Sequence, residues 1–68
     1  MTPEALKADA QAVIEAGGEH MTLTLPAGWR RPSDFPRGEL LSVNAWGDRN
    51  VSVRAQRVLD WLVTRKLA

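Results

Sequence analysis

Glu19-His20-Met21-Thr22-Leu23-Thr24-Leu25-Pro26 is the stretch on which the fold turns. Met21, Leu23 and Leu25 alternate with His20, Thr22 and Thr24, the period of two expected of a strand buried on one face. Pro26 lacks an N–H donor and closes the strand. Upstream, Thr2-Pro3-Glu4 reads as a helix start, with Thr2 as N-cap and Pro3 at the first helical position. Leu6, Ala10, Val13 and Ile14 follow one apolar stripe, and alanines at 5, 8, 12 and 16 keep helix propensity high. Gly17-Gly18 ends that helix, with Gly17 the expected left-handed cap.

Downstream, Glu39–Asn44 and Asn50–Arg54 read as a hairpin in which Leu41 and Val43 share an inward face with Val51 and Val53. The connection Ala45-Trp46-Gly47-Asp48-Arg49 contains turn formers and leaves the register open. From Arg54 the period becomes helical, with Ala55, Val58, Leu59, Leu62 and the alkyl stem of Lys66 on one stripe. The expected architecture is a single α+β domain of order α-β-β-β-α. It has helices over about 3–16 and 55–67, strands over about 20–25, 39–44 and 50–54, and an ordered loop over 26–38. Both helices are expected on the apolar face of a three-stranded antiparallel sheet.

Sixty-eight residues make one domain with a thin core, and there is no cysteine to staple it. His20 stands alone, so no metal site is expected. No apolar run approaches a bilayer-spanning length, and the first residues lack the pattern of a secretory signal. A cytoplasmic protein without a membrane role is the simplest expectation. Net charge is +1 but unevenly spread: residues 1–20 hold four acidic side chains against Lys7, whereas residues 21–68 hold eight basic against four acidic. Seven of the nine basic residues are arginine, which suits bidentate contact with phosphate or carboxylate.

Three places draw attention as sites. In the loop, Trp29, Arg30, Arg31 and Arg37 stand among three prolines and Phe35. Such arginines can neutralise phosphates while an aromatic ring stacks on a base. Equally, Trp29 and Phe35 can fold down as lids on a small core. At the hairpin, Trp46 with Arg49 and Arg54 is either folded back or presented outward. On the last helix, Arg57, Trp61 and Arg65 lie four apart on one face, suited to cation–π stacking or to covering the sheet border. No serine, cysteine or second histidine completes a triad with His20, so no catalytic residue and no cofactor is expected.

Phe35-Pro36-Arg37, the hairpin around Trp46-Gly47-Asp48-Arg49, and Val58-Leu59-Asp60-Trp61-Leu62 together resemble the C-terminal layout of excisionase/AlpA-like winged-helix regulators. The resemblance implies a small bacterial or prophage-type accessory protein, with Arg37 and Arg49 facing phosphate. In place of the helix-turn-helix that such regulators set before the wing, this chain has one helix, a double glycine and a strand. Two functions follow as expectations. One is a non-enzymatic nucleic-acid-binding module. The other is a protein–protein or homodimerisation module built on exposed tryptophan, arginine and a sheet edge.

Overall fold

A computed structural model describes residues 2–66. Helix α1 spans Pro3–Glu15, and the Thr2 side chain accepts a hydrogen bond from the Ala5 N–H at 3.2 Å, as an N-cap should. At its other end Gly17 adopts φ +82°. Its N–H donates to Ile14 O, while the Gly18 N–H donates to Val13 O. These two bonds form a Schellman cap, which satisfies carbonyls that the helix leaves open.

Strand β1 (His20–Leu25) buries Met21, Leu23 and Leu25 and exposes the residues between them. Strand β2 (Glu39–Val43) and strand β3 (Arg49–Arg54) form the hairpin, and helix α2 (Ala55–Thr64) leaves β3 without an intervening loop. The sheet order is β1-β3-β2 with both pairings antiparallel. Hence β1 and β2 run parallel to each other, with β3 between them. Residues 26–38 are the crossover that joins them, in the position usually taken by a helix.

Helix α1 packs on α2 and β1, and α2 packs on β3. Leu6, Ala10, Val53, Ala55, Val58 and Leu62 join the three β1 residues and Phe35 in one core. On the opposite sheet face, Thr24 Oγ1 donates to Asn50 Oδ1 at 2.8 Å and Asn50 Nδ2 donates to Ser42 Oγ at 3.0 Å. This polar ladder ties all three strands across the face that no helix covers.

Several expectations are corrected. Leu41 does not share an inward face with Val43: a bulge interrupts the ladder between Leu40 and Ser42, leaving Leu41 without a partner on β3. The bulge aligns Leu40 with Val51 and Leu23, and Val43 with Arg49 and Leu25, on the core side. Even so, all five residues of β2 are exposed, because the helices lie over β1 and β3 only. The last helix stops at Thr64, and Lys66 turns left-handed at φ 56° with an exposed side chain, so its stem does not extend the core stripe. The expected continuation to residue 67 lies outside the described residues. The remaining boundaries differ by one residue: α1 ends at Glu15, β2 at Val43, and β3 begins at Arg49.

Candidate anion-binding site

The crossover is anchored at three points, and arginine serves each of them. Phe35 is its one fully buried side chain, with ring centroids 5.6 Å from Trp29 and 4.9 Å from Trp61, both edge to face. Trp29 and Trp61 are half-buried around it, so both act as lids. Arg31 Nη1 donates to Phe35 O at 2.8 Å, and Arg49 Nη2 donates to Trp29 O at 3.2 Å. Arg65 Nε donates to Asp34 Oδ2 at 2.8 Å, its Nη2 pairs with Oδ1, and its guanidinium carbon lies 5.6 Å from the centre of the Trp61 ring. Arg31, Arg49 and Arg65 thus spend donors on the protein's own loop.

The Arg65 fork holds the Asp34 carboxyl below its ordinary range. The Trp61 indole N–H beside this pair is buried without a hydrogen-bond partner among the described residues. A carboxyl depressed by folding stabilises the fold above its unfolded value, roughly 3.9, and that contribution is lost as pH falls through the lowered native value. Acidification below about pH 4 is therefore expected to release Arg65 from Asp34 beside Trp61, while the buried Phe35 keeps the crossover packed. Tryptophan fluorescence should report this as a transition that Asp34→Asn abolishes. A transition unchanged in that variant would assign it to another carboxyl.

Three of the remaining arginines, Arg37, Arg54 and Arg57, meet Arg31 at a notch. The β1–β3 ladder continues to His20–Arg54, but the β2–β3 ladder stops at Glu39–Ser52. Residues Val53 and Arg54 of β3 therefore have no β2 partner, and a concavity of about 480 Å³ opens there. Arg31 and Arg37 line it from the crossover, Arg54 and Arg57 from the start of α2, and His20 and Glu39 from the strand ends. Gly38 makes this close approach possible: a Cβ there would lie 2.6 Å from Ser52 O and against the Val53 side chain.

Helix α2 begins against its own dipole. Its N-cap is Arg54 with no side-chain cap bond, Arg57 lies in its first turn, and that turn holds no acidic residue. Positive charge at the positive pole of a helix is unfavourable, whereas an anion there is stabilised. The arrangement opposes fold stability and suits a bound anion.

At the other end of the sheet the hairpin tip is held by hydrogen bonds. Asn44 Oδ1 accepts from the N–H groups of Trp46 and Asp48 at 2.9 and 3.0 Å, and Gly47 takes φ 87°. Asp48 Oδ1 accepts from the Ala27 N–H at 3.1 Å, fastening the tip to the crossover. Trp46 is presented outward, 81% exposed. The expected grouping of Trp46 and Arg49 with Arg54 is thus divided, since β3 sets them about 17 Å apart. Arg57 belongs with the notch rather than only with Trp61 and Arg65, and Arg30 is exposed on the crossover. His20 was not among the expected binding residues. Its place opposite Arg54 depends on strand order, for which the sequence carries no local signal.

No helix among the described residues is long and apolar enough to cross a membrane, and none of their acidic, histidine or cysteine side chains cluster as a metal site. No known family, curated protein or solved structure matches the chain.

Proposed function

We propose that the protein is a non-enzymatic module that binds nucleic acid through its phosphates, with the notch as the principal contact. One observation carries this reading: Arg31, Arg37, Arg54 and Arg57 converge on one concavity at the positive end of α2. Only two carboxylates, Asp34 and Glu39, line it, and Asp34 is engaged by Arg65. Base stacking contributes little. The open sheet face presents Thr22, Thr24, Ser42, Asn50 and Ser52, with no aromatic platform of the kind that sheet-surface RNA binders use. Binding should therefore depend on phosphate spacing and salt more than on base sequence. The resemblance to phage regulators agrees with such a role, with Arg37 as the position it shares with the notch.

The test is fluorescence anisotropy with a labelled mixed-sequence duplex and a short single strand across a salt series. Arg54→Ala with Arg57→Ala should weaken binding to both and reduce the slope of log K against log salt by about two. The same variant should be no less stable than the parent, since it removes two cations from the positive pole of α2. Unchanged affinity and slope in a folded double variant would refute the notch as a phosphate site.

A further inference from the structure

We propose that two copies of this chain pair through β2, antiparallel about a two-fold axis near Leu41, and that each copy seats its hairpin tip beside the arginine notch of the other. This inference does not rest on the nucleic-acid reading. Among the described residues nothing pairs with the outer edge of β2, and Leu40, Leu41 and Val43 are each more than half exposed. Proteins commonly protect such an edge with lysine, proline or inward charge. Glu39–Val43 contains no lysine or proline, and its single charge stands at its first residue. The bulge at Leu41 is the one protective device, and on the axis it meets its own copy.

A second copy is favoured as occupant because the two ends of β2 complement each other. One end carries Arg37 and the notch, while the other carries the outward Trp46. Antiparallel pairing centred on Leu41 sets Arg37 opposite Ala45 of the second copy. The indole of Trp46 then arrives beside the notch arginines, where a ring face suits a guanidinium. Parallel pairing would set notch against notch, with arginines opposed. In one copy the exposed aromatic and the arginine cluster stand at opposite ends of the sheet, so a composite aromatic–arginine site exists only in the pair. The two-fold contact is closed, which ends growth at a dimer. A chain of this size without disulfides also gains from association.

Sedimentation equilibrium of the full chain from micromolar to millimolar concentration tests the proposal. The mass should rise toward twice that of one chain, with amide exchange slowing in β2 as it does. Leu41→Lys sets two ammonium groups at the axis and should weaken association about tenfold or more. Because Leu41 is exposed, that variant should keep the parent's circular dichroism, and its melting temperature at dilutions where both are monomers. Trp46→Ala should also weaken association with the fold intact. A parent that stays monomeric throughout would overturn the proposal. So would association that a folded Leu41→Lys variant leaves unchanged, which would place the contact on another surface.

Discussion

Phe35→Ala is expected to remove about a third or more of the protein's stability. The side chain is 4% exposed and fills the space between Trp29, Trp61 and Leu62 under the crossover. Removing a buried phenyl ring costs about 3–5 kcal/mol, while a domain of this length has roughly 3–10 kcal/mol in total. The loss is therefore a large share of the whole stability. No disulfide limits the damage, and the two tryptophan lids lose the ring on which both pack. Urea unfolding followed by far-ultraviolet circular dichroism measures it. Phe35→Leu keeps most of the volume but not the two edge-to-face contacts, each worth about 0.5–1.5 kcal/mol. It should remain folded with a lowered midpoint. A parent-like midpoint for Phe35→Ala would mean that the crossover does not depend on this anchor.

Gly38→Ala is expected to cost about 1–3 kcal/mol or more, in the range of overpacked sites, although it adds one methyl group to an exposed residue. The new Cβ would lie 2.6 Å from Ser52 O and press on the Val53 side chain. Ser52 O belongs to the central strand, so relief requires β2 to move away from β3 at the Glu39–Ser52 pair. Both the edge strand and the notch would be disturbed together. Gly28→Ala is the control: no atom lies within 4 Å of its added Cβ, and its backbone is not left-handed. It should match the parent or exceed it slightly through reduced freedom of the unfolded chain. Amide exchange separates the two cases, because Gly38→Ala should expose the β2–β3 bonds and Gly28→Ala should not. Equal stability of the two variants would show that the chain at residue 38 yields without cost.

The candidate site was legible as residue types and not as a place. Arginine beside tryptophan marked residues 29–37 and 46–54, yet a guanidinium has several donors, and its spacing does not say whether protein or ligand takes them. Arg31, Arg49 and Arg65 proved to bond the crossover's own backbone or Asp34. Arg37, Arg54 and Arg57 line the notch, where no bond to another residue engages their side chains among the described residues. The Asp34–Arg65 pair spans 31 positions and left no trace in local pattern.

The sequence by itself determined each element that rests on local physics. The Thr2 cap, the left-handed Gly17, the alternation of β1 and the stripe of Ala55, Val58 and Leu62 depend on residues within a few positions of one another. Their periods and backbone preferences act before any long-range contact forms. Tertiary structure alone decided what requires distant segments to meet. That includes β3 between β1 and β2, the bulge that turned Leu41 out of register, and the uncovered edge of β2. It also includes the notch, which exists because β2 begins opposite Ser52, two residues before β3 ends, a mismatch that no local pattern encodes.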